Sequence, residues 1–187
     1  MPEIVSISDP VITQLPVVEC WEPLIDLRTL AVLRLDERRA DAEGAYAYLR
    51  RSVADRLIVA QTLLPRGLRL LIVEGYRPQD CRRICFDEYC DAVAPHVAGA
   101  AIDLTLATIS GQELPLGSFG VDPVDVSEEV SRNRNILSAA LGAVNLVSGP
   151  TEWWHWSFGD RHWAFTSNAA AAFYGPIPTL ADGLKLH

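Results

Sequence analysis

The chain is poor in the residues that would commit it to several large classes of protein. Its 187 residues include only four cysteines, Cys20, Cys81, Cys85 and Cys90. That is too few, and too clustered, for a disulfide framework, and a reduced, cytoplasmic setting is the expectation. No CxxC pair occurs. Cys81 and Cys85 are spaced to share one helical face and read as small hydrophobes rather than metal ligands. Basic residues are outnumbered, with 16 Lys and Arg against 24 Asp and Glu and a net charge of −8. No basic stripe is available to neutralise phosphates, which argues against nucleic acid as a partner. No apolar run approaches the roughly 18–20 residues of a membrane span. Met1-Pro2-Glu3 opens with an acid and leads into no apolar run of the kind a secretory leader needs. Histidine is scarce too: there are four, at positions 96, 155, 162 and 187.

What is present suits a globular chain. Hydrophobic residues make up 49% of it, and the length predicts one domain over residues 1–187 with a sizeable core. Residues 1–23 are punctuated by proline and read as a wrap over the surface. Residues 173–187 read as a tail packed on the outside. A short strand is expected at Leu24–Thr29. Ala45, Leu49, Val53, Leu57, Ala60 and Leu64 recur at helical spacing and predict a helix over 42–64, ended by Pro65 and Gly67. Leu68–Val73 reads as a buried strand. Pro78 suits the first position of a helix over about 79–92. Ala101–Leu106 alternates, with Ile102, Leu104 and Leu106 on one face and Asp103 on the other. Residues 107–126 read as a long loop, and Ser127 caps a helix over 128–141. Two strands, Thr151–Phe158 and His162–Phe165, are expected around a hairpin turn at Gly159-Asp160-Arg161. Mixed elements with hairpin neighbours predict an α+β fold: an antiparallel sheet, flanking helices and a zinc site in a cleft on the sheet.

The chemistry concentrates in two stretches. One runs from Pro95 through His96 and Gly99 to Asp103; the other is Glu152-Trp153-Trp154-His155. Two histidines and an aspartate are a good three-ligand set for zinc, leaving a fourth position open for water, as catalytic zinc requires. Glu152 is a ready general base. Gly99 lets the backbone bend between His96 and Asp103. A carboxylate in an otherwise apolar strand is costly to bury alone, and a cation removes that cost. The plainer readings are a loop histidine bonded to backbone, an aspartate capping a turn, and tryptophans that are simply core. Glu152 and His155 share a face on a helix but not on a strand. In this aromatic-rich, strand-like run they reach one site only if Glu152 sits at a bend after Gly149-Pro150. Arg77 has a plain reading as well, an ion pair with Glu74 or Asp80.

Together these stretches match most of the pattern SxHxxGxAxD and then ExxH. With Glu74-Gly75-Tyr76-Arg77-Pro78 between the helix and the first of them, the chain resembles the D-alanyl-D-alanine dipeptidase family over roughly residues 24–165. That family belongs to a wider group of zinc peptidases that includes D,D-carboxypeptidases. The resemblance implies zinc held by His96, Asp103 and His155, Glu152 as catalytic base, Arg77 as oxyanion stabiliser, and a small peptidoglycan-related dipeptide as substrate. The departures fall around substrate recognition. Ala94 stands where the pattern has Ser, and Thr29 where the dipeptidases usually have Tyr. Glu74 replaces a usual Asp. The Asn-Phe-Thr-Gly segment is missing, and Leu35-Asp36-Glu37-Arg38-Arg39 occupies that region. Val121 takes the place of an Asp that holds the substrate ammonium, with Asp122 one step away. A repurposed zinc enzyme acting on another small molecule is the alternative reading.

Overall fold

The structure, a computed structural model, describes residues 5–79, 95–119 and 126–186. The expected helix at 79–92 lies outside these, as do Cys81, Cys85, Cys90, Ala94, Val121 and Asp122. In chain order the elements are α1 (Pro10–Thr13), β1 (Leu24–Asp26), β2 (Arg34–Leu35), β3 (Tyr48–Arg50), α2 (Arg51–Leu63), β4 (Leu68–Glu74), β5 (Ala101–Thr108), α3 (Glu128–Gly142), β6 (Val147–Ser148), β7 (His155–Ser157), α4 (Arg161–Thr166) and α5 (Leu180–Gly183). Short 3-10 turns occupy Leu27–Thr29, Ala45–Ala47 and Pro95–Ala98.

Among the described residues the main sheet has five strands, in the order β2-β4-β5-β7-β6. It is mixed rather than wholly antiparallel: β2 runs parallel to β4, and the other pairs are antiparallel. A parallel pair needs a crossover connection, and α2 lies within the one that joins β2 to β4. β1 and β3 form a separate antiparallel pair.

The expected helix over 42–64 begins only at Arg51. Its apolar spacing is sound, since Leu49, Val53, Leu57 and Ala60 are all fully buried. Upstream of Arg51, however, tertiary partners take the backbone. Tyr48–Arg50 pairs with β1, the Tyr46 and Tyr48 carbonyls accept from the amides of Gly75 and Tyr76, and the Arg50 amide donates to the Gly99 carbonyl. Local propensity yields to these longer-range bonds.

Two further expectations change. Residues 161–166 form helix α4 instead of a strand, because the Asp160 carboxylate caps its first turn by accepting from the Trp163 amide. The tail is also less external than expected. Tyr174 and Ile177 are 3% exposed. The Ile177 amide donates to the Val97 carbonyl, and the Tyr76 hydroxyl donates to the Ile177 carbonyl at 2.9 Å. The Ser127 cap on α3 and the buried strand β4 are as expected.

β5 is the centre of the sheet and is buried through Ala107. Ile102, Leu104 and Leu106 belong to the same apolar cluster as Val53 and Leu57 of α2 and Leu137 and Leu141 of α3. The opposite face of β5 carries Asp103 and Thr105. The functional groups gather on that face.

Candidate metal centre

Asp103 lies in a cross-strand row. Its backbone partner on β7 is His155, and its partner on β4 is Glu74. Directly paired residues project from the same face of a sheet, so Glu74, Asp103 and His155 stand side by side. Alternation alone would put Glu74 on the face of Ile72. A break in register between Ile72 and Glu74 moves it across, since a bulge inserts one unpaired residue and re-aims the side chains after it.

His96 enters from the 3-10 turn Pro95–Ala98, just before β5. Gly99 comes next after this turn with φ +65°, and a Cβ there would run into the Leu24 side chain. The left-handed turn therefore needs glycine, and it swings His96 over Asp103. The Nδ1–H of His96 donates to the Gly75 carbonyl at 2.7 Å. This leaves the lone pair on Nε2 facing the cluster, the tautomer a metal ligand needs. Gly75 can approach so closely because it has no side chain; a Cβ there would sit 2.5 Å from the Tyr48 carbonyl oxygen.

The three expected ligand side chains meet. His96 Nε2 is 3.2 Å from Asp103 Oδ1, His155 Nδ1 is 3.0 Å from the same oxygen, and the two nitrogens are 3.2 Å apart. All three residues are at most 5% exposed. Donors on a tetrahedral zinc with bond lengths of about 2.0–2.1 Å lie about 3.3 Å apart. The observed triangle is therefore close to the spacing of three such ligands, and the donor set of two imidazoles and a carboxylate fits zinc. Without a cation the group is electrostatically tense. Burial works to raise the Asp103 pKa, but His96 and the hydrogen bonds from both imidazoles outweigh it and hold the carboxyl well below the usual range. Burial works to lower the His96 pKa, and the Asp103 charge outweighs it.

Glu152 does sit at a bend. The His155 amide donates to the Glu152 carbonyl at 3.2 Å, and the Gly149 amide to the His155 carbonyl at 2.8 Å. A turn closed across residues 152–155 brings its ends within about 7 Å of each other. Glu152 is half-buried. Trp154 and Trp156 are buried, and Trp153 packs on the main apolar cluster, so the plain core reading of the tryptophans holds as well.

Arg77 has the ion pair that its plain reading anticipates. Its Nε donates to Glu74 Oε1 at 2.7 Å, while Arg39 Nη1 donates to Oε2 at 3.2 Å. Its amide donates to the His96 carbonyl at 3.2 Å. Glu74 thus ties two arginines to the row it forms with Asp103 and His155. Burial works to raise its pKa, but the Arg77 bond, with the charges of His96 and Arg77, brings it below the ordinary value. A carboxyl with a depressed folded-state pKa stabilises the protein above its unfolded value, about 4.3, and that contribution is lost as the pH falls through the folded value. The expected result for the metal-free protein is that the advantage of wild type over Glu74→Gln in urea shrinks as the pH is taken below about 4. A constant difference from pH 6 to pH 3 would show that this carboxylate is not linked to folding.

Several contributors were not legible beforehand. The Gly75 carbonyl is a backbone group, and the shift that places Glu74 has no signature in the residues around it. Asp160 did carry a signal, an acid at helix-capping position ahead of an apolar run, but Gly159-Asp160 also suits a hairpin turn.

A mixed sheet with two buried imidazoles and one carboxylate converging from β5, β7 and the turn before β5 defines a candidate single-metal centre. No protein-family model matches the chain. Three curated relatives do, all named D-alanyl-D-alanine dipeptidase. The one from Synechocystis sp. is 23% identical over 87% of this chain and 95% of its own length. The one from Escherichia coli is 31% identical over 48% of this chain, and the one from Streptomyces coelicolor 30% identical over 51%. The chain spans 54% and 64% of these last two. The chain is thus related to the D-alanyl-D-alanine dipeptidase family. Among the described residues, no helix is long and apolar enough to cross a membrane.

Proposed function

We propose that the protein is a zinc-dependent dipeptidase that hydrolyses a small dipeptide of the D-Ala-D-Ala kind. The observation that carries this is the buried triangle of His96, Asp103 and His155, with sides of 3.0–3.2 Å. The shared name of the three relatives supports a dipeptide as substrate class. Zinc bound by those three side chains would supply a Lewis acid and lower the pKa of its water toward about 7. Glu152 acts as general base and hands the proton to the leaving amine. Arg77, permanently charged and steadied by Glu74, donates to the developing oxyanion. The partner is a small molecule rather than nucleic acid or membrane. The sparse, clustered cysteine usage supports a cytoplasmic setting.

One observation favours a second reading, a related zinc enzyme working on a different small molecule. The Thr29 hydroxyl, standing where the dipeptidases usually have Tyr, donates to the Asp26 carbonyl at 2.7 Å. It is spent on its own turn. Purified protein assayed for metal content and against a panel of D,D- and L,D-dipeptides separates the two. The expected result is about one zinc per chain with dipeptide turnover. Zinc with no turnover of any dipeptide would favour the second reading, and a chain that takes up no metal would overturn both.

A further inference from the structure

Among the buried polar atoms with no hydrogen-bond partner within the described residues, three belong to neighbouring side chains: Nε2 of His155, Oδ2 of Asp160 and Nδ1 of His162. Their residues are 4%, 3% and 6% exposed. Local geometry gathers them. His155 and Ser157 are two apart on β7, so their side chains leave the strand on the same face. The Ser157 hydroxyl donates to Asp160 Oδ1 at 2.9 Å. Between them Gly159, at φ +80°, turns the chain back on itself, and a Cβ there would lie 2.5 Å from the rings of Phe173 and Tyr174. Asp160 Oδ1 also accepts from the Trp163 amide at 2.9 Å, which anchors α4 and with it His162. The charges of both Asp160 and His155 are felt at His162.

A histidine that offers its Nδ1 lone pair to a metal carries its proton on Nε2. That N–H on His155 points away from the cluster into buried surroundings, where a donor left unmet is costly. The free carboxylate oxygen of Asp160, whose other oxygen is held by Ser157 of the same strand as His155, is buried without a partner among the described residues and carries a desolvation cost of its own. His96 has already solved the same problem through the Gly75 carbonyl. Metal-bound histidines nearly always give their outer N–H to a carboxylate, carbonyl or water.

We propose that Asp160 is the outer partner of His155: its free oxygen takes the Nε2–H, within a buried polar set completed by His162, and keeps the ring turned with Nδ1 toward His96 and Asp103. Asp160 is then a positioning residue, remote from the reacting atoms. The proposal rests on the metal reading above and does not depend on which substrate is cleaved.

The test is Asp160→Asn. Asparagine caps a helix as well as aspartate does, so it keeps the bonds from Ser157 and Trp163 while losing the anionic acceptor. Zinc affinity is measured by chelator competition on the full chain, with no substrate. Asp160→Asn is expected to weaken zinc about 10–100-fold with an unchanged far-UV spectrum. In the zinc-loaded wild type, His155 is expected to show a downfield, slowly exchanging Nε2 proton that the variant lacks. Ser157→Ala, which loosens Asp160 without removing it, is expected to give a smaller loss and serves if the first variant does not fold. Wild-type zinc affinity in both variants, or no protected Nε2 proton on His155, would overturn the proposal and leave the metal centre standing. A wild-type chain that binds no zinc would overturn both.

Discussion

Changing Glu152 to alanine is expected to leave about one zinc per chain in place and to lower dipeptide turnover by about 10²–10⁴-fold, the usual worth of a positioned general base. The two effects separate because of where the residue stands. The proposed ligands come from the turn before β5, from β5 and from β7, and none of their close contacts passes through the Glu152 carboxylate. What Glu152 contributes to the fold is mainly its carbonyl, which closes the turn onto the His155 amide, and alanine keeps that. The loss should therefore fall on kcat, with little change in KM, since the base is needed only as the transition state forms. Glu152→Gln should behave in the same way, because an amide keeps the size but cannot accept the proton. Metal analysis and steady-state kinetics on both variants make the check. Full activity in either would remove Glu152 from the mechanism, and loss of zinc would make it a ligand instead of a base.

The convergence of His96, Asp103 and His155 could be read in advance because it depends on residue types that are rare in this chain and on spacings that survive errors in secondary structure. His96 and Asp103 converge through one glycine turn, and His155 is the direct cross-strand partner of Asp103. The exact bounds of β5 and β7 do not alter that. The boundaries that moved were those decided by tertiary bonds. Residues 45–50 have apolar spacing that suits a helix, yet their backbone is committed to β1, to Gly75 and to Gly99. Residues 161–166 are aromatic enough for a strand, yet one capping carboxylate makes them helical. The least legible part was the support around these three side chains. It consists of a carbonyl, a break in strand register and a capping acid, none of which announces a role through its identity alone. The parallel pairing of β2 with β4 was hidden for a related reason, since a two-residue strand has no period to detect.

Arg50→Met is expected to be the most damaging substitution outside the candidate metal centre, costing about 3–5 kcal/mol, the range for removing one partner of a buried ion pair. Arg50 is 0% exposed. Its guanidinium donates to the Ala98 carbonyl at 2.9 Å, the Glu22 carbonyl at 2.6 Å, the Gly175 carbonyl at 3.2 Å and the Glu19 carboxylate at 3.1 Å. One side chain thus joins the N-terminal wrap, the turn that carries His96 and the C-terminal tail. Methionine fills much of the volume but leaves two buried carbonyls, and a part-buried carbonyl and carboxylate, without this donor, and each unmet buried group costs about 1–3 kcal/mol. For a chain of this size 1 kcal/mol shifts Tm by about 2–4 °C, so a drop of roughly 6–20 °C is expected by calorimetry. Zinc affinity should fall with it, because the Ala98 carbonyl that loses its donor is two residues from His96. Glu19→Gln removes the charge but keeps an acceptor oxygen, and should cost well under half as much. Equal losses in the two variants would mean that the ion pair alone matters. A Tm for Arg50→Met within about 2 °C of wild type, under 1 kcal/mol on the same scale, would show that the wrap, the turn and the tail are held together without it.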